Sequence, residues 1–479
     1  MVTLISHKLI SVTIKAGGDV GIKPVALLSA FFFFLRLPAP DLSAASSGTV
    51  LSGEGAAPSG PLVLTLEDAV RRALEQSLDL KRRLIDLSTA EYSAGRLWSF
   101  IFPGISAGGG ASYDRGLLSS DSGKHGYELS AGVSLSLNAG ISRAMKMTVL
   151  AYDLRMLEYE DARRMLDIEI AKNFYTLIAE RANLSNLQNH LELAEKQLER
   201  DRVAFRNGVK GELAFLQSRL GAETARYNLS TARTSYADRL GEFLELLGLP
   251  QDTDVEFAGD MDIRPVNADG NALIRQYLSG RPDIVQQRKL IESLEHAEKR
   301  IVLERRAPSV SLQGRWNLSH IDPLSDRLSG SVSVSIPVDS WIPGTSTFQQ
   351  IRSAGAELEK ARIDLKNTEQ AASARIRSLA SALVNSWTSV EIARLSVEMA
   401  RRTYELNEQG FLGGAVESLS LEESRNSLAL RQQQLLESEL SYKIMTLDLA
   451  AALDIARGDI VAAVRDSGGE GADFVPEGG

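Results

Sequence analysis

The sequence predicts a mainly α-helical protein in which long coiled-coil helices and four membrane-spanning β-strands are arranged as a tandem duplication. The two halves of the chain can be aligned, because Asp79 corresponds to Asp283 and Pro103 to Pro308 at an offset of about 204 to 205 residues. Segment 141–207 contains neither glycine nor proline, so it predicts one very long helix. Shorter segments between the helices alternate apolar and polar residues, as β-strands with two different faces do.

Composition excludes several classes of protein. With 44% hydrophobic residues and a mean hydropathy of -0.10, the chain is too polar to be built from many apolar membrane helices of about 20 residues. A net charge of -9 argues against nucleic acid as a partner, because no overall positive field is available to hold phosphates. The absence of cysteine excludes disulfides, thiolate metal sites, cysteine nucleophiles and a lipidated N-terminal cysteine.

The N-terminus has the pattern of an export signal. Lys23 precedes the apolar segment 25–37, and small residues follow up to Ala45. This apolar segment is shorter than a spanning helix requires. We therefore expect a signal peptide over 1–45 and a disordered leader over 46–62, the alternative being a buried or anchoring apolar helix.

The rest of the chain predicts two repeats and a short tail. The first repeat spans 63–260 and the second 261–457, each with a helix, a β-hairpin and a long helical hairpin, and 458–479 forms a disordered C-terminal tail. Near the ends of the long helices, Gly208 aligns with Gly414 at nearly the same offset as the earlier pairs. Splitting the chain into independent globular domains would conflict with this nearly constant offset.

The long helices carry a coiled-coil pattern. About 67 helical residues over 141–207 would reach roughly 100 Å, which is wider than a compact domain. In the second repeat, segment 356–409 is also free of glycine and proline, and apolar residues recur there and just before it at every seventh position: Ile351, Leu358, Leu365, Ala372 and Leu379. The apolar positions then shift to another face, which indicates a seam that rotates around the helix: Ile376, Leu383, Trp387 and Val390.

Four alternating segments of about 9 to 11 residues have the length of tilted transmembrane strands. On their apolar side we expect a lipid-facing set: Leu129, Val133, Leu135, Val310, Leu312, Val332 and Val334. The intervening residues are mostly serine, which suits a water-filled lumen. A soluble sheet with one face on a core is the alternative. The open edges of four strands need closure, which copies of the same chain would provide.

Several motifs resemble the TolC-like outer-membrane efflux protein family. The segment LTLEDAVRRALEQSLDL at 64–80 is similar to the opening motif of that family, with Ser77 and Leu78 in place of its Asn-Pro pair. The second repeat has RPDI at 281–284, and SIPVDSWIPG at 335–344 resembles the corner where a strand of the family leads into a long helix. Order, spacing and duplication together make this resemblance specific from about Leu64 to Asp454.

The resemblance implies a homotrimer in which three chains form one twelve-stranded β-barrel in outer-membrane lipid, continued by a helical tunnel in the periplasm. It implies a passive exit duct of a tripartite efflux or type I secretion system. Its partners would be a periplasmic adaptor protein and an inner-membrane transporter, either proton-driven or ATP-driven. The alternative is a periplasmic coiled-coil adaptor or structural scaffold, which would carry one helical hairpin flanked by compact β domains.

The resemblance also locates candidate functional residues. The adaptor-contacting tips would be Asn207, Gly208, Val209, Gly413, Gly414 and Ala415. The periplasmic aperture would be formed by Ser420, Glu423 and Glu417, with Glu422 adding to the acidic surface. Ser420 departs from the usual aspartate of the family. The simpler explanations are that glycine ends a helix in the left-handed conformation and that the glutamates form a solvated helix face.

No pattern predicts an enzyme or a cofactor. The five histidines are scattered, and no HExxH motif, phosphate-binding loop or nucleophile elbow is present in the sequence. Any driving force for transport would therefore come from partner proteins.

Overall fold

A computed structural model describes residues 62–114, 124–266, 268–320, 324–413 and 415–460. The predicted signal peptide, nearly all of the predicted leader and most of the predicted C-terminal tail lie outside the described residues.

The elements follow the same order in both halves of the chain. Each half has a short strand, two helices, a pair of strands and a long helical hairpin. The first half contains β1 (Leu62–Thr65), α1 (Leu66–Gln76), α2 (Leu78–Ala94), β2 (Gly104–Asp114), β3 (Lys124–Leu137), α3 (Ile141–Arg206) and α4 (Glu212–Leu246). The second contains β4 (Val255–Ala258), α5 (Gly270–Tyr277), α6 (Pro282–Arg306), β5 (Ser309–His320), β6 (Leu324–Ser335), α7 (Ser346–Leu412) and α8 (Ser418–Leu453).

The two longest helices have the predicted length, because α3 has 66 residues and α7 has 67, each about 100 Å. The second exceeds its glycine-free segment and runs through Gly355 and Gly410. At Gly410 a Cβ atom would lie 2.5 Å from Val416 Cγ2, so glycine lets the loop after α7 fold back against the helix. Close packing of this loop thus outweighs the cost of about 1 kcal/mol that glycine brings to a helix.

Burial along α7 confirms the predicted seam. No residue of the heptad set or of the shifted set is fully exposed, and most of the shifted set is completely buried. The buried members are Leu358, Ala372, Ile376, Leu383 and Val390. The seam therefore moves from one neighbouring helix to another along α7, which packs on α6 near the sheet and on α8 further along.

The single helix predicted before each β-hairpin is two helices in both halves, α1 and α2 in the first and α5 and α6 in the second, so this part of the prediction was wrong. Ser77, with φ -53° and ψ 117°, ends α1, and its hydroxyl accepts a hydrogen bond from the backbone N–H of Leu80 at 3.3 Å at the start of α2. Hydrophobic periodicity alone predicts one continuous helix here, because it does not detect a serine that ends one helix and caps the next. The alignment of Asp79 with Asp283 agrees with the structure, since each is the second residue of its helix.

Two sheets are present in the described residues. Strands β1 and β4 pair in parallel from Leu62 with Val255 to Thr65 with Ala258. The larger sheet is antiparallel in the order β2-β3-β5-β6. Three hydrophobic clusters lie along the helices in the described residues, one around Phe174, one around Tyr442 and a smaller one around Ala222 between α3 and α4. Within the described parts of the chain, no helix is long and apolar enough to span a membrane.

Helices α4 and α8, the second helices of the two hairpins, are both followed by a residue in the left-handed conformation, a glycine in one case and an aspartate in the other. Gly248 follows α4 with φ +67°, and Asp454 follows α8, at the equivalent position of the second half, with φ +59°. This left-handed conformation is unusual for a residue with a side chain. The Asp454 carboxylate lies 3.0 Å from the Arg164 guanidinium, and burial raises its pKa to about 6 despite this pairing.

The end of α8 is therefore expected to be more stable at pH 5 than at pH 7.5. An aspartate has a pKa near 3.9 in an unfolded chain, so between about pH 4 and pH 6 the folded state binds the proton more tightly. This contribution to stability is complete below the unfolded pKa and is lost as the pH rises through about 6. Hydrogen exchange of the backbone amides in the last turn of α8, corrected for the intrinsic pH dependence of the exchange rate, measures this change in stability.

Asp454→Asn should remove this pH dependence, because asparagine keeps the shape, tolerates the left-handed conformation and carries no charge. Asp448→Asn, on the same helix, is the control and should retain it. Identical pH profiles in wild type and Asp454→Asn would contradict the assignment.

Candidate functional site

The predicted functional regions lie at opposite ends of the long helices. Helix α3 begins next to β3 and ends at Arg206, so about 100 Å separates the sheet from the first tip. We define the first tip as residues 207–211 and the second tip as the described residues 413 and 415–417.

The first tip is a tight turn with an exposed apolar residue. Asn207 ends α3, and Gly208 has φ +72°, a conformation that glycine adopts without strain. The backbone N–H groups of Val209 and Lys210 both donate to the carbonyl of Ala204. The Val209 side chain is 78% exposed, which makes it an available apolar contact.

A buried carboxylate connects the first tip to both of its helices, and it was not among the residues predicted from the sequence. Asp201 on α3 is 2% exposed and accepts hydrogen bonds from the Gln197 amide at 3.0 Å, the Ser218 hydroxyl on α4 and the Lys210 ammonium in the tip. One signal was present, because Asp201 lies one heptad after Ala194, which is also buried. A charged residue at a seam position indicates a buried partner.

The second tip is fastened at the equivalent position. Asn407 occupies the place in the second half that Asp201 occupies in the first, and its amide donates to the backbone carbonyl of Ser420 at 3.4 Å. Gly413 ends α7 in a right-handed conformation with φ -82°, and the Ala415 N–H donates to the Gly410 carbonyl at 2.8 Å. Gly414 lies outside the described residues.

The predicted aperture residues whose side chains are described are Glu417, Ser420 and Glu423. Glu417 precedes the first residue of α8, and Ser420 and Glu423 lie on one face of that helix because they are three positions apart. Their arrangement around a shared axis stays a prediction.

Glu422 does not add to the acidic surface, so that part of the sequence prediction was wrong. Its carboxylate is 3.7 Å from Arg425, whose guanidinium donates to the Leu193 carbonyl at 3.1 Å, and both side chains are largely buried. Burial raises the pKa of Glu422, and Arg425 partly offsets this. At Gly221 on α4 a Cβ atom would overlap the Glu422 carboxylate, so glycine makes room for it.

The larger sheet has two chemically different faces. In-register rows place Leu135, Leu312 and Val332 side by side, and the next row contains Leu137, Val310 and Val334. All seven residues predicted to face lipid lie on this apolar face, and none is buried. Serines occupy the opposite face, where the Ser311 and Ser333 hydroxyls are 2.6 Å apart. That these faces meet lipid and lumen respectively stays a prediction.

A four-stranded sheet with unlike faces, continued in each half by a helix about 100 Å long, defines one subunit of a channel whose barrel a single chain does not close. The outer membrane efflux protein family matches residues 69–249 and 273–454, which together make up about three quarters of the chain. The chain belongs to this family, as the sequence resemblance predicted.

Solved structures of channels share this fold. The Campylobacter jejuni CmeC outer membrane channel is 16% identical, with 84% of this chain and 89% of that chain covered and a TM-score of 0.69. The Vibrio cholerae outer membrane protein VceC is 18% identical, with coverages of 82% and 96% and a TM-score of 0.66. The open state of the Neisseria gonorrhoeae MtrE outer membrane channel is 16% identical, with coverages of 82% and 89% and a TM-score of 0.67. Comparison with curated protein sequences finds no match.

Family membership confirms the mainly helical fold class, the outer-membrane location with a helical tunnel in the periplasm, and the assignment as a channel and not an enzyme. The alternative of an adaptor or scaffold protein was wrong. Both halves of the family match contain a strand pair and a helical hairpin, whereas an adaptor would have one hairpin between compact β domains.

Proposed function

We propose that this channel is a homotrimer and serves as the passive exit duct of a tripartite efflux or type I secretion system. The observation that carries the proposal is a pair of matching, unpartnered edges on the two sides of the chain. In the sheet, the edges are β2 and β6, which present unpaired backbone groups within the described residues. Three copies of four strands would close these edges in a twelve-stranded barrel.

The helices have a corresponding pair of edges. Near the tips, α3 packs on α4 and α8, and α8 packs on α7, so α4 and α7 are the outermost helices. Both carry exposed apolar residues with successive spacings of three, four and seven positions, counted from Leu213 on α4 and from Ile392 on α7. On α4 these residues are Leu213, Leu216, Leu220 and Tyr227, and on α7 they are Ile392, Leu395, Met399 and Leu406.

The two apolar edges are complementary. Both sets lie within about 30 Å of the tips, given a rise of about 1.5 Å per residue. Since α4 runs away from its tip and α7 runs toward its tip, the edge of one copy can pack antiparallel on that of the next. Such head-to-tail contacts close into a ring when the rotation per copy permits it.

Cysteine cross-linking tests the trimer, because the natural chain has no cysteine. Leu220 and Leu406 lie about 12 Å and about 9 Å from the tip ends of their helices, so they should meet across the interface. Oxidation of the double variant Leu220→Cys, Leu406→Cys should give covalent trimers, whereas either single variant should not. The proposal would be contradicted if oxidation of the cysteine pair and an amine-reactive cross-linker in detergent both gave only monomers and dimers.

The proposed partners are those that the family resemblance implies. The exposed Val209 and Ala415 at the two tips would contact a periplasmic adaptor, which would join the tunnel to a proton-driven or ATP-driven inner-membrane transporter. Repeats 63–260 and 261–457 would each supply one helical hairpin per chain to the tunnel.

If Glu423 lines a threefold aperture, Glu423→Lys should reverse the ion preference of single channels in planar bilayers. Three like charges close to one axis favour the passage of counterions, so the wild type should prefer cations there. Ser420→Asp should strengthen that preference. Glu212→Lys, which changes an exposed acid beside the first tip, serves as the control. Unchanged selectivity in both Glu423→Lys and Ser420→Asp would place the constriction elsewhere.

A further inference from the structure

We propose that Arg315 and Arg327 form a positively charged belt inside the outer-membrane barrel, which favours anions and cargo with carboxylate or phosphate groups. This inference rests on the proposed trimeric duct, because it needs the serine-rich face of the sheet to line a lumen. It concerns a different part of the channel from the predicted aperture.

Strand register places both arginines on the serine-rich face. Arg315 on β5 lies between Gly132 on β3 and Ser329 on β6. In the adjacent row of that face, Arg327 on β6 lies beside Asn317 on β5. The two arginines are thus diagonal neighbours on adjacent strands, with about 7 to 8 Å between their backbone positions.

Most residues around the two arginines are small. The row of Arg315 continues through Gly132 to Ser106, and the row of Arg327 continues through Ser130 to Gly108. Among the sheet residues whose side chains are described, Glu128 is the other charged residue on this face, one row beyond Arg327 and two strands away. The arginine side chains therefore extend further from the sheet than their neighbours.

Within the described residues, the belt is not neutralised by ion pairs. Both arginines are exposed, and no carboxylate of the described residues lies within ion-pairing distance of either one. Two like charges at diagonal positions on adjacent strands repel each other, so the pair does not stabilise the sheet alone. Their placement on a face whose other residues are mostly small suits an interaction with an anionic group in the lumen.

Three copies would contribute six arginines and three Glu128 carboxylates, so the described charges on this face sum to three positive units. Twelve strands about 4.8 Å apart and tilted by about 45° enclose a backbone ring on the order of 25 Å across. The belt consequently acts by its field and not by blocking the pore. The field decays over about 8 Å at about 0.15 M salt and over about 30 Å at about 0.01 M, so it spans the whole lumen only in dilute salt.

The guanidinium groups also define the chemistry of the favoured cargo. Arginine binds carboxylates and phosphates through paired N–H donors, and two arginines on neighbouring strands can contact two such groups or one phosphate. Anionic molecules would therefore be retained briefly near the exit, whereas cationic molecules of equal size would be repelled.

Reversal potentials of reconstituted full-length channels test the belt. In a KCl gradient with about 10 mM on the dilute side, the double variant Arg315→Ser, Arg327→Ser should shift the ratio of potassium to chloride permeability severalfold toward potassium. Serine matches the surrounding surface, so the strands should still form. Gln313→Ser, a long uncharged side chain on the same face, should leave the ratio unchanged, and Arg315→Lys, Arg327→Lys should preserve the wild-type ratio.

Inorganic pyrophosphate provides a second probe. Millimolar pyrophosphate should bind the arginines and cancel their charge, so it should shift the potassium-to-chloride permeability ratio of the wild type toward potassium and leave that of the double serine variant nearly unchanged. The difference should disappear at high salt. Conducting channels with the same reversal potential in wild type and double serine variant would overturn the belt while leaving the duct intact. A protein that inserts but never conducts would overturn the proposed duct and, with it, the belt.

Discussion

Val332→Arg is expected to destabilise the membrane-inserted barrel by about 2 to 4 kcal/mol if the residue lies near the middle of the bilayer. Val332 lies on β6 beside Leu312, on the apolar face, and is 71% exposed in a single chain. An arginine there would have to place its charge in hydrocarbon or distort the strand to reach the interface. Denaturant-induced unfolding of protein folded into vesicles measures the change, together with heat-modifiable migration.

Ser333→Arg provides a control one residue away. Ser333 lies on the opposite face beside Ser311, where a water-filled lumen would accommodate the charge. The variant should therefore fold and insert much as the wild type does. Equal loss of stability in both variants would show that the two faces are assigned wrongly or that the sheet does not span the bilayer.

Asp201→Ala is expected to loosen the first tip, at a cost of about 3 kcal/mol to local stability. The substitution would leave Lys210 without its carboxylate and would remove the acceptor of Ser218 on α4. Asp201→Asn should have a smaller effect, since the amide oxygen can still accept the hydroxyl and amide donors but offers no charge to Lys210. Hydrogen exchange over 201–218 should report the order wild type, asparagine, alanine in falling protection.

Glu199→Ala is the matched control on the same helix. Its carboxylate is exposed and lies 3.7 Å from Arg202 and 3.9 Å from Arg206, and exposed pairs of this kind contribute little to stability. If Asp201→Ala and Glu199→Ala showed the same hydrogen-exchange protection at the first tip, the role assigned to Asp201 would be contradicted.

The features predicted correctly are those that depend on the local periodicity of the sequence. Strand residues such as Val332 and Ser333 alternate strictly, so their opposite faces follow from the two-residue repeat. The seam of α7 follows from heptad spacing, and the great length of α3 follows from a segment without glycine or proline that ends near glycine.

The features missed depend on partners that are distant in the sequence. Glu422 and Glu423 are adjacent glutamates, yet the Glu422 side chain is largely buried against α3 and α4. Helix α8 packs on more than one neighbour, so its sequence lacks a single apolar side from which this burial could be read. Likewise, Asp201 is explained by Ser218, which lies on the other helix of its hairpin.

The parallel pairing of β1 with β4 has a consequence for the order in which the exported chain can fold. Leu62 pairs with Val255, so the whole first helical hairpin must follow the first strand across the inner membrane before its partner arrives. Closing an unstructured loop of that length costs about 5 kcal/mol in chain entropy. The effective loop would be shorter if α1 had already docked on α3 and α4 had already packed back along α3. We therefore expect the strand pair to form late, leaving Leu64 accessible to periplasmic chaperones until the first hairpin is complete.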